Sequence, residues 1–385
     1  MRPVLNGGRV VVVGGGVVGV SLAYHLAAFG YRDVVVVERG LLGEGSTAKA
    51  TGGIRTQFSS PLNARLAHAA VDYFAHFEER VGEPLEFRQH GYLFVLDDER
   101  QLAVFRASAE MQRSLGVEVE LLEPDAIPSL VPGIVTGDVV GAAYTPNDGS
   151  ASPADVVQAF ARQARRGGVT FRQETEVVGF VRDGAGAVTG VETTGGRLDA
   201  ELVVVAAGPW AADVGRLAGV TLPVEPHSRQ AFGIDALPEL TADMPLTVDL
   251  GSGAYVHPER SGGIIGGNDR DTPIALEPRV DWDLTGQLIE SLVRRVPWLV
   301  GARITSGWAG LREMSPDDHG IVGAVPEVPG LWVAVGFSGH GFMQAPIVGT
   351  ELARTLLGLE TTIDLTPLRP TRFAEGALVE ESAVF

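Results

Sequence analysis

RVVVVGGGVVGVSLAYHLAAFG, residues 9–30, followed by YRDVVVVE, residues 31–38, decides the fold of this chain. Val10–Val13 is a continuous β-branched run, the pattern of a strand buried on both faces. Three glycines follow at the spacing GxGxxG: Gly14, Gly16 and Gly19. Val17 and Val18 then open a run in which Val18, Leu22, Leu26 and Phe29 recur at helical spacing, and Gly30 is placed to stop it. A second valine run, Val34–Val37, ends on the acidic Glu38. Strand, glycine turn, helix, strand and acid make up a complete βαβ dinucleotide fingerprint. Gly14 permits the tight turn, Gly16 lets the backbone approach a pyrophosphate, and Gly19 lets helix and strand pack closely. The helix N-terminus offers unpaired N–H groups and a partial positive charge to phosphates. Glu38 is placed to accept hydrogen bonds from an adenosine ribose.

Composition limits what can be built around this unit. With 385 residues, 45% of them hydrophobic, two domains with well-filled cores are expected. Cysteine is absent, which removes disulfides, a thiol nucleophile, cysteine-ligated metals and a cysteinyl flavin link. Every apolar run is broken by glycine or charge before the roughly 18 residues that a membrane helix needs. The N-terminal apolar run is already the first strand, not a signal peptide, so a soluble cytoplasmic protein is expected. A net charge of −18 argues against nucleic acid and anionic membranes as partners. Lys49 is the only lysine.

Downstream of Glu38 and Arg39, residues 39–61 are rich in Gly, Ser and Thr, suited to close approach of backbone to a ligand. Ser46 and Thr47 can donate hydroxyls to phosphate or ribitol oxygens. Periodicity predicts helices over 61–81, 99–115 and 153–166, the last with Pro at its first turn, and a strand over 86–96. Residues 141–144 read as a strand running into the turn Pro146-Asn147-Asp148-Gly149. Residues 171–180 and 187–193 read as a hairpin around Asp183-Gly184. Residues 202–207 form a second buried strand, running into Gly208-Pro209-Trp210. Residues 223–308 change to short strands with one helix over 285–296, a pattern that suits an antiparallel sheet. The first style returns with a buried strand over 331–335, the turn GFSGHG over 336–341 and a helix over 346–357. The dinucleotide unit is therefore discontinuous, with the antiparallel part inserted into it.

GSTAKATGGIR (45–55), AAGPW (206–210), GLREMSPD (310–317) and GFSGHGF (336–342), in that order after the fingerprint, resemble the D-amino-acid-oxidase family of flavoenzymes over residues 9–360. This group includes glycine oxidase, sarcosine oxidase and dimethylglycine and proline dehydrogenases. The resemblance implies an α/β fold, a Rossmann-type FAD-binding domain with an inserted antiparallel-sheet substrate domain. The FAD-binding domain would comprise 1–84, 147–222 and 306–365, the substrate domain 85–146 and 223–305, and a peripheral tail 366–385. It implies FAD held by the fingerprint with Arg39, Ser46, Thr47, Lys49, Thr51, Gly52 and Gly53. Val177 and Ala207 would lie toward the adenine end, and Gly208 and Trp210 would also contact the cofactor. Gly336, Gly339, His340, Gly341, Phe342 and Met343 would lie toward the flavin, where backbone N–H groups ahead of a new helix meet charge that develops on reduction. Arg312 would bind a substrate carboxylate, for which its planar fork is suited; the alternative is a surface ion pair with Glu313, Asp317 or Asp318. Tyr255 and His257, on the inserted sheet, are further substrate candidates.

Departures from the family pattern narrow these implications. Gly310 stands where monomeric sarcosine oxidases carry the cysteine bonded to FAD, so the cofactor is expected to be non-covalent. GGIIGG (262–267) lacks the lysine with which those enzymes activate oxygen, and Lys49 is the one alternative. SASPADVV (150–157) lacks the histidine that carries FMN in the heterotetrameric enzymes, so no second flavin is expected. The implied reaction is hydride transfer from the carbon bearing nitrogen of a small amino acid or secondary amine (glycine-, sarcosine- or proline-like) to FAD. The imine then hydrolyses, and electrons pass to oxygen. Three alternatives stay open: a dehydrogenase with another acceptor, a 2-hydroxy-acid enzyme, and a non-catalytic flavin-binding subunit. No metal and no catalytic acid or base is expected; a homo-oligomer or an electron-transfer partner subunit remains open.

Overall fold

In the computed structural model, which describes residues 3–267 and 274–382, both valine runs are fully buried strands. β1 (Val10–Val13), α1 (Val17–Ala28) and β2 (Val34–Val37) form the expected parallel unit, Val10 in register with Val34. The chain continues through α2 (Ser46–Lys49) and β3 (Gly53–Ile54) into α3 (Pro61–Ala75) and α4 (Phe77–Val81). The helix expected over 61–81 breaks at His76 (φ −112, ψ 28), which leaves two helices. Next come β4 (Phe87–Arg88), β5 (Tyr92–Leu96), α5 (Glu99–Ser114), β6 (Glu120–Leu122), β7 (Gly141–Thr145) and β8 (Gly149–Ala151). The single strand expected over 86–96 is divided between two sheets. Gly91 turns the chain with φ +84, pressed so closely on Tyr144 that a Cβ would lie 2.5 Å from the ring.

After α6 (Pro153–Arg166), β9 (Thr170–Arg172) adds to the edge of the parallel sheet. The hairpin is formed instead by β10 (Val177–Arg182) and β11 (Val188–Thr193), because Glu174, at φ 50, interrupts the strand expected over 171–180. After β12 (Leu198–Asp199), β13 (Leu202–Val205) and α7 (Ala211–Leu217), the inserted part supplies β14 (Glu225–Ile234), β15 (Leu246–Asp249), β16 (Ala254–Glu259), β17 (Gly262–Gly267) and α8 (Trp282–Arg295). β18 (Ile304–Met314) pairs with β14 along its whole length, so the domain boundary expected at 306 falls inside a strand. β19 (Ile321–Ala324), β20 (Leu331–Val335), α9 (Gly341–Leu357) and α10 (Arg372–Glu375) close the chain.

Two large sheets result. The first runs β19-β20-β13-β1-β2-β9, parallel except for the β19 edge. The second runs β18-β14-β17-β16-β15-β5-β7-β6. On one face of the first sheet α1 packs against α9, where Ser21 Oγ donates to the Ala345 carbonyl at 2.7 Å. Gly349 makes that approach possible, since a Cβ there would lie 2.3 Å from Ser21 Oγ. α9 starts at Gly341, five residues before the Pro346 start expected from sequence; the proline sits inside its second turn. The carboxyl ends of β1, β13 and β20 all open on the same side, where ligands bind in open parallel sheets.

The tail expected to be peripheral is built into the protein. Arg372 is fully buried, its guanidinium donating to both oxygens of Asp317 (2.8 and 2.7 Å) and to the His319 carbonyl (3.1 Å). Glu381 accepts from the backbone N–H of Ser59 (2.6 Å) and from Asn63 Nδ2 (3.1 Å) at the start of α3. No described helix is long and apolar enough to cross a membrane.

Candidate functional site

The three fingerprint glycines meet three different steric demands. Gly14 has φ +116, and a Cβ on it would lie 2.3 Å from the Ala206 carbonyl oxygen at the end of β13. A Cβ on Gly19 would lie 2.1 Å from the Gly14 carbonyl, so only glycine lets α1 rest on the turn. Gly16 meets no such wall; its nearest neighbour is Thr47 Oγ1 at 3.5 Å, and it faces open space. That space is a cavity of about 820 Å³ between the two large sheets.

At the fingerprint end, Glu38 accepts from Gly15 N (2.7 Å) and Gly40 N (2.8 Å), which fixes its carboxylate beside the turn. The Arg39 guanidinium stacks on Trp210 at 3.9 Å from the ring centroid, both at the cavity wall with Val177, Ala207 and Gly208. The two hydroxyls expected to face a ligand are tied to protein groups. Thr47 Oγ1 accepts from Val17 N at 3.1 Å, capping α1, and Ser46 Oγ donates to the Leu311 carbonyl at 2.7 Å. α2 thereby docks on β18, and Trp308 Nε1 adds a bond to the Lys49 carbonyl (3.0 Å). A Cβ on Gly310 would lie 2.5 Å from the Lys49 Cβ, so close packing against α2 requires glycine at that position.

At the far end, the turn after β20 carries Gly339 (φ +91), His340, Gly341, Phe342 and Met343 along the cavity. Arg312 crosses this turn: a Cβ on Gly339 would lie 3.0 Å from its Nε. Arg312 lines the cavity, and Asp317, one of the three acids considered as its surface partner, is held by Arg372. Tyr255 lines the cavity as well, its hydroxyl over Gly266 of β17.

Three expected residues lie off the wall. Gly19 serves helix–strand packing, and Gly336 (φ +72) turns the chain behind Ile321 and Ser315. His257 is fully buried in a separate cluster with His90, ring centroids 5.8 Å apart. Burial and the neighbouring His90 and Arg88 charges hold its imidazole down at about 3, so it is neutral at pH 7.

Sequence reasoning missed Arg55, Tyr92, Gln230, Trp308 and Glu313, all of which line the cavity. Arg55 is buried, stacked over Phe58 at 4.2 Å, with Nη2 3.4 Å from His340 Nε2. Desolvation lowers its guanidinium pKa, and the charge of Arg312 lowers it further. Behind it Asp148 accepts from Thr56 N (2.8 Å) and Thr56 Oγ1 (2.9 Å), and burial raises its carboxyl to about 6. His340 is driven well below the ordinary imidazole range by burial and by the charges of Arg55 and Arg312, which keeps it neutral. The GGIR sequence at 52–55 was the available signal for Arg55; its burial depends on Phe58 and Phe94, which no local pattern reveals.

A glycine-lined cradle, a helix N-terminus at Gly16 and an elongated cavity ending at a second helix N-terminus suit a dinucleotide with a planar group at its far end. The family model "DAO: FAD dependent oxidoreductase" matches residues 9–355. The chain belongs to the DAO family of FAD-dependent oxidoreductases. Among solved structures, this DAO-family chain is similar to L-proline dehydrogenase from P. horikoshii, with TM-score 0.90 and 32% identity, over 96% of this chain and 98% of that one. It is also similar to glycine oxidase from Geobacillus kaustophilus, with TM-score 0.84 and 28% identity, over 95% and 98%. Mitochondrial dimethylglycine dehydrogenase of Rattus norvegicus is 30% identical over 95% of this chain; the match spans 45% of that protein's length. The cofactor of a DAO-family protein is FAD. The fingerprint turn with Glu38, α2, the residues around Trp210 and the start of α9 are the groups that would hold it.

Proposed function

We propose that this chain oxidises a small amino acid whose nitrogen is secondary or N-methylated, at a carbon bearing that nitrogen, and passes the electrons to an acceptor other than oxygen. The observation that carries the substrate class is the pair of guanidiniums at the far end of the cavity. Arg312 lies across the Gly339 turn, and Arg55 stands in a desolvated wall where the Arg312 charge destabilises its own. Two cations in a low-dielectric space favour an anionic ligand, and a carboxylate matches the guanidinium fork bidentately. The resemblance to proteins described as L-proline and dimethylglycine dehydrogenases supports the same class.

When bound, FAD supplies the two-electron acceptor. The residues of the chain bind and orient. Arg312 and Arg55 fix the carboxylate, and Tyr92 and Tyr255 shape the wall beside the reacting carbon. His340, neutral beside the two guanidiniums, adds no charge of its own to the carboxylate's site. No side chain is assigned as acid or base.

The reading of the electron acceptor draws its support from β17. GGIIGG brings no lysine toward the cavity, and the Tyr255 ring already covers Gly266, where a Cβ would lie 2.4 Å from its hydroxyl oxygen. Oxygen as acceptor, with peroxide as product, is the second reading, and Lys49 at the cavity wall is the observation that favours it. Substituting Arg312→Ala tests the substrate class. KM for the amino acid should rise by two orders of magnitude or more while the bound-FAD spectrum stays unchanged; unaltered kinetics would remove Arg312 from substrate binding. Peroxide yield against dye reduction in air separates the two acceptors.

A further inference from the structure

Glu313 is the residue after Arg312 on β18, and nothing above uses its carboxyl. It sits where three elements converge: Oε2 would lie 3.5 Å from a Cβ on Gly208, after β13, and Oε1 the same distance from a Cβ on Gly341, the first residue of α9. Both glycines and Glu313 itself belong to the cavity wall, so the carboxyl lies directly at its edge. The backbone N–H groups of Gly336 and Phe337 point to it. Among the described residues, Oε2 has no hydrogen-bond partner and no solvent access.

A carboxylate in this position is held by two backbone dipoles and lacks a cation. Burial raises its pKa to about 7, poised between the two forms at neutral pH. Charged and titratable groups stand on the elements packed around it. Arg312 precedes it on β18; His340, at the start of α9, is held neutral. Asp148, behind Arg55, is already ionised above about 6. Glu225 and His227 lie on β14 across from β18, and Asp317 is paired with Arg372 at the end of the same segment.

FAD carries a diphosphate that stays ionised throughout this range. Filling the cavity with it replaces water and adds negative charge, and both changes favour the neutral carboxyl. We propose that Glu313 is a charge-regulating residue for the cofactor: it takes up a proton as FAD binds and stays protonated in the holoprotein, so that this position presents no carboxylate to an anionic ligand. The consequence is linkage. Below pH 7 the carboxyl is protonated with or without FAD, and affinity is flat. Above pH 7 binding must supply the proton, and affinity falls by up to tenfold per pH unit until the holoprotein carboxyl itself ionises.

The test is FAD release from the purified holoprotein on serial dilution, followed by flavin fluorescence from pH 6 to 9, for the native chain and for Glu313→Gln. Glutamine keeps the shape, accepts from the same N–H groups and cannot ionise. The native Kd should be constant to about pH 7 and then rise, by at least tenfold at pH 9. E313Q should hold the low-pH Kd across the whole range. A native Kd independent of pH overturns the proposal, as does an E313Q protein that retains the native pH dependence. An E313Q protein that binds as weakly at pH 6 as the native chain does at pH 9 also overturns it, because the carboxylate would then be the binding form. The native pH profile alone decides the case if E313Q does not fold.

Discussion

Removing the Arg372 guanidinium should unfold the protein at a markedly lower temperature, although the residue lies in the last fifteen of the chain and outside the cavity. Arg372 is completely buried and its partner Asp317 nearly so. The pair forms two bonds of 2.8 and 2.7 Å, and Arg372 also donates to the Leu368 carbonyl at 2.7 Å and the His319 carbonyl at 3.1 Å. Arg372→Met leaves the Asp317 carboxylate buried without its cation. Breaking a buried pair in this way costs about 3–5 kcal/mol. With an unfolding entropy of about 2.1 cal/mol/K per residue, a cooperative unit of this size has roughly 0.8 kcal/mol/K, so Tm should fall by about 4–6 °C. Asp317→Asn in the same chain removes the stranded charge and should recover at least half of that loss.

The pH dependence carries an independent signature. Arg372 holds the Asp317 carboxyl below the usual carboxylate range despite its burial. Its contribution is therefore complete above the unfolded value near 3.8 and is lost as pH falls through the lower folded value. Thermal melts of the native and R372M chains should differ fully at pH 7 and converge on acidification toward pH 3. A loss of less than 1 °C at pH 7, or a double variant less stable than R372M, would refute the assignment.

Asp148 should behave in the opposite sense. Burial raises its carboxyl from 3.8 to about 6, so the folded state binds the extra proton in that window and is destabilised as pH rises through it. Relative to Asp148→Asn, the native chain should lose roughly 2 kcal/mol between pH 4 and 7, read from denaturant midpoints. Gly19→Ala brings a Cβ to within 2.1 Å of the Gly14 carbonyl, and α1 must shift by about 1 Å; overpacking of this kind costs ~1–3 kcal/mol. The variant should melt lower and emerge from gel filtration without FAD; a fully loaded G19A protein would show that the turn is not the cofactor's anchor.

The parts legible in the sequence are those governed by local sterics. GxGxxG names its own structure because Gly14 and Gly19 are forbidden a side chain by atoms a few residues away in the same βαβ unit. The last turn and the helix after it were read from the same kind of signal. β18 was legible as a motif and not as a strand, because Gly307 and Gly310 look like turn residues. They are glycine because the Phe232 ring and Lys49 press on that strand from elsewhere in the chain. Arg55, Glu313 and Arg372 were invisible for a related reason. A buried charge is recognised by what surrounds it, and much of their surroundings comes from segments tens to hundreds of residues distant: Phe94 and His340 at Arg55, Gly208 and Gly341 at Glu313, and Asp317 at Arg372. Tyr255 reaches the cavity and His257 does not, though both lie on β16, because the cavity ends between them.

The most direct test of the account is an anaerobic titration of the FAD-loaded protein with proline, sarcosine, dimethylglycine, glycine and a matching set of 2-hydroxy acids. Bleaching of the flavin absorbance should be fastest with a secondary or N-methylated amino acid, and should be slowed at least a hundredfold at equal, subsaturating concentration in the Arg312→Ala protein. Bleaching by a 2-hydroxy acid alone, or by no compound in either set, would contradict it.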